Sequence, residues 1–446
     1  MVNKPSHTLI RDPKIECMPV EDLKKLQLQR LKDLVERVYI QSPFYRRKFN
    51  EHGVKPEDIK TLDDLRRLPF TVKDDLRDNY PFGLFTVPMK DIIRIHCSSG
   101  TTGKPVTAGY TRNDMEMWVE LMARSFVTAG VTSRDIVHNA FGYGLFTGGL
   151  GHDMGARKIG ATVVPMSGGV NNRQIMLMKD FGATVLTATP SYAMVLAETA
   201  AQMGVNMKTD LKLRVGLFGA EPSTKEMHQH IEEEFNLEVY ETYGIGEIIG
   251  PGIAINCAYH EGLHIQEDHF LAEIVDPDTG EPVQPGQRGD FVITTLTKEA
   301  MPLIRYRTRD LTRFFTEPCL CGRTTVRHDR LAGRTDDMLI IKGVNVFPSQ
   351  VEGVLLRHSE LAPQYLLIVE RVNNRDKLEI QVEAATEEFY NQGQENLEQY
   401  IDKLHREMQQ TLYISSKITI MPPRSIQRSE GKAKRYIDKR REANQI

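Results

Sequence analysis

The chain is poor in cysteine, in net charge and in long apolar runs, and each shortage excludes something. Five cysteines in 446 residues, at positions 17, 97, 257, 319 and 321, are too few and too scattered for a disulfide framework. Lys and Arg number 57 against 60 Asp and Glu, a formal net charge of −3. That balance argues against nucleic acid or an anionic membrane as the main partner. No window approaches the roughly 20 apolar residues of a spanning helix. The opening MVNKPSHTLIRDPK lacks the apolar stretch of a secretory signal. The expectation is a soluble cytoplasmic enzyme. Single cores stop growing at roughly 250–300 residues, so at least two domains are expected.

Residues 21–50 carry Leu23, Leu26, Leu31, Leu34, Val35 and Val38 at helical spacing and predict an amphipathic helix. From about 92 the texture changes. IIRIHC reads as a strand, and DIVHNAF, ATVVPM, ATVLTATP, LRVGLFGA and LEVYETYG are further short apolar runs. Each is followed by a turn and a helical stretch, the alternation of an α/β domain with a largely parallel sheet. Beyond about 255, HFLAEIVDPDTGEPV and GDFVITTLT alternate around a PDTG turn as antiparallel strands do. The last hundred residues read as a small α+β domain: strand and loop, helix, a hairpin across Asn-Asn-Arg-Asp, a polar helix over roughly 387–411 and the strand SSKITIMPP. The tail from Arg424 to Arg441 is basic and, taken alone, reads as a solvated face.

The loop HCSSGTTGKPV directly follows a strand. Ser98, Ser99, Thr101 and Thr102 supply hydroxyls, Gly100 and Gly103 let backbone N–H groups approach a ligand, and Lys104 adds positive charge. Such a loop suits phosphate oxygens. It is not a Walker A loop, because only two residues separate the glycines and Pro105 follows Lys104.

Ser-Ser-Gly-Thr-Thr-Gly-Lys-Pro resembles the phosphate loop of the adenylate-forming enzymes. Four later segments are similar to the phenylacetate–CoA ligase family: the run from Phe141 to Gly149, Glu-Thr-Tyr-Gly-Ile-Gly-Glu at 241–247, Leu-Ile-Arg-Tyr-Arg-Thr-Arg-Asp at 303–310, and Gly-Arg-Thr-Asp-Asp-Met-Leu-Ile-Ile-Lys-Gly-Val-Asn-Val-Phe-Pro at 333–348. The similarity runs in order over nearly the whole chain. It implies a large N-terminal AMP-binding domain, 1–335, of parallel α/β sheets plus a β-barrel-like region, and a small mobile C-terminal α+β lid, 336–446. It implies ATP, Mg2+ and CoA as cofactor and substrates, an aryl acid as the molecule activated, and a homodimer.

The resemblance also implies residue roles. Gly219, Ala220, Glu221 and Pro222 lie against adenine, bordered by Glu241 and Thr242. Tyr243 stacks on the base, a contact of about 1–3 kcal/mol in stacking sites generally. Glu247 is the hard oxygen ligand for Mg2+. Asp310 takes the ribose hydroxyls, and Arg334 sits near ribose and phosphate. Asp336 is the hinge, and Lys342-Gly343 borders the CoA pantetheine path. Lys432, in Ser429-Glu430-Gly431-Lys432, is the cation aimed at the transferring phosphoryl group, with Lys434 as the competing candidate. Transfer to an acceptor other than CoA, as in coenzyme F390 synthetase, remains the alternative.

Phe141, Tyr143 and Phe146 alternate with glycines that include Gly148 and Gly149, a mix suited to a flat aromatic acid. In relatives acting on phenylacetate a Tyr commonly stands at the position of Phe141, so the resemblance leaves the ring substituents open. A metal site is also expected. Cys319-Leu320-Cys321-Gly322 puts two thiolates on a tight turn, and if 258–263 form a turn between paired strands, Cys257 and His264 stand across from each other. Four N/S ligands suit a closed structural zinc site. The expected set is Cys257, His264, Cys319 and Cys321, with His260 or His269 as alternatives.

Overall fold

The computed structural model describes residues 9–98, 105–372, 375–429 and 432–440. It divides into two compact units, one formed by Met1–Ala188, Thr209–Ala220 and Glu238–Arg330, the other by Thr189–Lys208, Glu221–Leu237 and Leu331–Ile446. No described helix is long and apolar enough to cross a membrane.

In the first unit the helix expected over 21–50 is two helices, Val20–Gln41 and Pro43–Glu51. Pro43 disfavours helical backbone at the residue before it. Ser42 is therefore extended, and its Oγ accepts from the Tyr45 N–H at 3.4 Å to cap the second helix. Leu31, Leu34, Val35 and Val38 are fully or almost fully buried on the face the spacing indicated.

The five apolar runs form the parallel part of an eight-stranded sheet. Their spatial order is Thr162–Val164, Ile136–Asn139, Val185–Ala188, Val215–Gly219 and Glu238–Ile245. Gly250–Asn256, Leu263–Ile265 and Arg327–His328 extend it antiparallel. Chain order reverses at Ile136–Asn139, which has Thr162–Val164 on one side and Val185–Ala188 on the other. Open α/β sheets bind ligands beyond the carboxyl ends of strands, near such a reversal. Three of the candidate segments begin there: the glycine-aromatic run after Asn139, Gly219-Ala220, and Tyr243 to Glu247.

Phe270–Val275, Gly289–Thr295 and Tyr306–Thr312 pair antiparallel, as the PDTG turn indicated. Register shifts in the second pairing: Val292 faces Arg307 while Asp290 faces Leu311. The extra residues form a bulge in which Arg309 has φ 64°. Bulges re-aim side chains, and this one carries Asp310.

In the second unit, Lys417–Met421 runs parallel to Arg375–Ala384, which is antiparallel to Leu361–Val372, which is parallel to Tyr436–Asp438. The turn of the Leu361–Val372 and Arg375–Ala384 hairpin, Asn373-Asn374, lies outside the described residues. The polar helix is Gln394–Leu412, and it buries Leu404, Met408 and Leu412, spaced by four, on that sheet. Leu339–Ile341 and Val344–Val346 form a separate hairpin. Helices Pro190–Gln202 and Lys225–Phe235 belong to this unit, although in sequence they come from the α/β alternation.

Candidate active site

In the first unit Tyr243 and Asp310, 67 residues apart in sequence, meet directly. The Tyr243 hydroxyl donates to Asp310 Oδ2 at 2.6 Å, and both residues are buried. The Tyr243 ring lies 5.5 Å from the Phe291 ring and 5.2 Å from that of His328. Burial pushes His328 down to about 4, so its imidazole is neutral at pH 7. Beside them on the same strand, Glu241 accepts from Arg330 Nε at 3.2 Å. Burial raises its carboxyl to about 7 despite that arginine. Thr242 is buried in the strand, with its hydroxyl 3.5 Å from the Ala254 carbonyl oxygen. Gly219 is required sterically: a Cβ there would lie 2.2 Å from the Thr242 carbonyl oxygen of the neighbouring strand. Ala220 follows at φ 73°.

Glu247 is buried on the turn between Glu238–Ile245 and Gly250–Asn256. Its ion pair with Lys73 Nζ spans 3.9 Å, longer than a hydrogen bond. Ser98 closes the strand pair Arg94–Cys97 and Thr107–Tyr110: its N–H donates to the Val106 carbonyl at 2.9 Å and its Oγ accepts from the Val106 N–H at 3.3 Å. Ser99, Gly100, Thr101, Thr102, Gly103 and Lys104 lie outside the described residues.

Phe141 is buried and stacks on His152 with ring centres 4.5 Å apart. Burial lowers His152 to about 4, and its Nδ1–H donates to the Gly148 carbonyl at 2.8 Å. A Cβ on Gly148 would lie 2.4 Å from Phe146 Cε1, and one on Gly149 would lie 2.7 Å from the Gly142 carbonyl oxygen. These two glycines are what let the rings and the loop backbone approach the helix Thr147–Lys158. Sequence reasoning missed Asn139. Its Nδ2 donates to Tyr143 Oη at 2.9 Å and to the Gly149 carbonyl at 2.7 Å, and its Oδ1 accepts from the Phe141 N–H at 3.3 Å and Thr187 Oγ1 at 2.8 Å. A buried amide at the end of the DIVHN strand was the available signal.

In the second unit, Arg334 Nε and Nη2 donate to the Asp336 carboxylate at 2.9 and 3.2 Å. Burial, and then the Asp336 charge, raise the Asp337 carboxyl, while Arg334 and Lys432 pull it back. Lys342 and Gly343, at φ 52° and 79°, make the two-residue hairpin turn, where both central residues need positive φ. The Glu221 carboxylate accepts from the Ser191 N–H at 2.7 Å and the Ala433 N–H at 3.2 Å, so its oxygens serve backbone rather than a base. Pro222 beside it is half-buried. Lys432 and Lys434 are both exposed.

Cys257, His264, Cys319 and Cys321 come together in the first unit, their donor atoms all within 4.8 Å of one another. Cys257 Sγ is 3.6 Å from Cys319 Sγ, and Cys321 Sγ is 3.3 Å from His264 Nε2. Ligands about 2.0–2.3 Å from a tetrahedral centre lie roughly 3.3–3.8 Å apart, so the donor set fits zinc. His264 Nδ1 faces Thr325 Oγ1 at 3.2 Å, which turns Nε2 toward the thiols. Hydrogen bonds from Cys257 and Cys319 pull the Cys321 thiol well below its ordinary value. The alternatives are engaged elsewhere: His260 with Glu238 at 3.0 Å, His269 with Thr297 at 2.6 Å. The register differs from the expected one, since Ile255 rather than Cys257 stands opposite His264. Cys257 reaches the cluster from just beyond its strand.

Residues 23–297 match the family model of the AMP-binding enzymes, and 343–440 that of the AMP-binding enzyme C-terminal domain. The chain is 48% identical to a phenylacetate-coenzyme A ligase of Thermus thermophilus over 97% of this chain and all of that enzyme. It is 47% identical to a phenylacetate-coenzyme A ligase of Escherichia coli over 96% of this chain and 97% of that one. A crystal structure of 2-hydroxyisobutyryl-CoA ligase, in the postadenylation state in complex with R3-HIB-AMP, matches with a TM-score of 0.91 at 30% identity, covering 97% of this chain and 94% of that one.

Proposed function

The chain belongs to the AMP-binding enzyme family and, within it, to the phenylacetate–CoA ligases, and from that premise we propose that it joins an aryl acid, phenylacetate first, to CoA through an acyl-adenylate. It is an AMP-forming acid–CoA ligase. A carboxylate oxygen of the acid attacks the α-phosphorus of ATP. The bond from that phosphorus to its bridging oxygen breaks, and pyrophosphate leaves with the electron pair. The CoA thiol then gives up its proton and attacks the acyl carbon, and AMP leaves as the C–O bond breaks.

The observation that carries the reading is the 2.6 Å contact between Tyr243 and Asp310 beside the carboxyl ends of the parallel strands. A flat ring and an acceptor for a vicinal diol are what an adenosine needs. Glu241, Thr242 and Gly219-Ala220 border the base, and the loop from Ser98 to Lys104 holds the phosphates. Glu221 and Pro222 shape the adenine edge through backbone, since the Glu221 side chain is already engaged. Glu247 would hold Mg2+, whose charge offsets that of the phosphates. Phe141, Tyr143, Phe146, Gly148 and Gly149 form the acyl pocket, held by Asn139.

Lys432 supplies positive charge where the phosphoryl group transfers. The lid begins at 336, with Asp336 as hinge, Arg334 steadying it, and Lys342-Gly343 facing the pantetheine path. Cys257, His264, Cys319 and Cys321 would hold a zinc whose four positions are filled by protein, so it supplies rigidity and not chemistry. A cytoplasmic location and a homodimer are proposed on the family resemblance alone.

Lys432→Ala tests the assignment of steps. Pyrophosphate release from acid and ATP should fall by at least about 100-fold, on the scale of removing one charged transition-state contact. Aryl-CoA formation from supplied acyl-adenylate should stay within a few-fold of wild type. Equal loss of both steps would remove Lys432 from the adenylation chemistry.

A further inference from the structure

Arg428 lies in the basic tail four residues before Lys432, and its guanidinium is gripped from two sides. Its Nε and Nη2 donate to Glu198 Oε2 and Oε1 at 2.9 and 3.0 Å. Its Nη1 and Nη2 donate to Glu383 Oε1 and Oε2 at 2.6 and 2.8 Å. Both pairs are fork-on-fork, the geometry that makes arginine–carboxylate contacts strong and directional. The side chains of Arg428 and Glu198 are about one-fifth exposed, and Glu383 is fully buried.

The two glutamates differ in where they come from. Glu383 stands on Arg375–Ala384, paired with Met421 on the neighbouring strand, and it also accepts the N–H groups of Arg424 and Ile426 at 3.0 and 2.6 Å. That grip is internal to the C-terminal sheet and its exit loop. Glu198 stands on Pro190–Gln202, which ends more than 200 residues before the strand Lys417–Met421 begins. A second contact of the same origin lies just past Lys432. The Ala433 N–H donates to Glu221 Oε2 at 3.2 Å, while Glu221 Oε1 accepts from the Ser191 N–H at 2.7 Å. Lys432 is thus bracketed, before and after, by two acids from Thr189–Lys208 and Glu221–Leu237, all within the second unit.

Lysine is a flexible point charge, and fixing its backbone on both sides lowers the entropy lost when the ammonium is aimed. We propose that Glu198, through Arg428, and Glu221, through Ala433, are positioning residues that clamp the Lys432 segment for adenylation and release it for thioester formation. The proposal rests on the assignment of Lys432 to the adenylation step. Glu383 keeps Arg428 extended in either state, so the clamp can re-form without refolding the loop.

The test uses the full-length protein and Glu198→Gln, with the two half-reactions read separately. Pyrophosphate release from ATP and acid should fall about tenfold or more, the scale of losing a charge-assisted pair, with the change in kcat and the ATP KM within about twofold. Aryl-CoA formation from supplied acyl-adenylate should equal or exceed wild type. Glu198→Asp, which keeps the charge one methylene shorter, should recover part of the first step, and it carries the same test if Glu198→Gln does not fold. Glu383→Gln should lower both steps together. A first step within twofold of wild type in Glu198→Gln would overturn the proposal. So would an equal fall in both steps, or the same one-sided loss in Glu383→Gln. Absence of acid-dependent pyrophosphate release from the wild type would instead overturn the ligase reading beneath it.

Discussion

Tyr243→Phe removes one hydroxyl and leaves the ring, which separates the two functions assigned to this tyrosine. The hydroxyl sits 2.6 Å from Asp310 Oδ2, the short range of a hydrogen bond to a carboxylate, and Asp310 is 2% exposed. Hydrogen bonds to charged groups contribute roughly 1.5–3 kcal/mol. With each 1.4 kcal/mol a factor of ten, ATP affinity should weaken about 10- to 150-fold if this contact sets the ribose acceptor in place. The ring still packs on Phe291 and His328, so stacking of about 1–3 kcal/mol should remain. Calorimetric titration with ATP and with 2′,3′-dideoxy-ATP distinguishes the two. Wild type should prefer ATP strongly. In Tyr243→Phe, ATP affinity should drop toward that of the dideoxy analogue, whose own affinity changes less than about threefold. A variant that binds ATP like wild type, or loses both nucleotides equally, would refute the reasoning.

Three further outcomes are expected. Metal analysis of untagged protein should give one zinc per chain, and Cys321→Ser should lower both the zinc content and the melting temperature; metal-free wild type would remove the site. Gly148→Ala puts a Cβ 2.4 Å from Phe146 Cε1, but Phe146 is 38% exposed and can swing aside. The protein should therefore fold while the acid KM rises about tenfold and the ATP KM holds, overpacking of this kind costing roughly 1–3 kcal/mol. Glu241 has its folded value raised from 4.5 to about 7, chiefly by burial. Its contribution to stability is then full below pH 4.5 and is lost as pH rises through about 7, up to ~3 kcal/mol in all. Urea unfolding across that window should show the slope, and Glu241→Gln should flatten it.

Much of this fold was legible in the chain because local pattern and tertiary position agree. The five apolar runs are the five parallel strands, and the PDTG turn does separate antiparallel partners. The break at Ser42-Pro43 lies past the apolar spacing, which ends at Val38, so one helix over 21–50 was expected where there are two. Other features needed three dimensions. That Asp310 is aimed by a bulge follows from the register slip between Asp290 and Val292. Nothing local to the helix Pro190–Gln202 indicates that Glu198 meets Arg428, because both look like ordinary surface charges in amphipathic or basic stretches. Glu221 shows the opposite case: a motif marked the position, but only the structure shows its carboxylate serving Ser191 and Ala433. The metal cluster was legible by residue type and spacing, while its register was not, since Cys257 lies past the strand end rather than opposite His264.

The central claim is that an aryl acid is activated as its adenylate and passed to CoA. A panel of aryl and aliphatic acids, each incubated with ATP and Mg2+ and scored for pyrophosphate, with and without CoA, tests it directly. The account predicts acid-dependent pyrophosphate release that is greatest for phenylacetate and its ring-substituted relatives. With CoA present, one AMP and one aryl-CoA should appear per pyrophosphate. Pyrophosphate release that does not depend on acid, or turnover unchanged by CoA with no thioester formed, would contradict it.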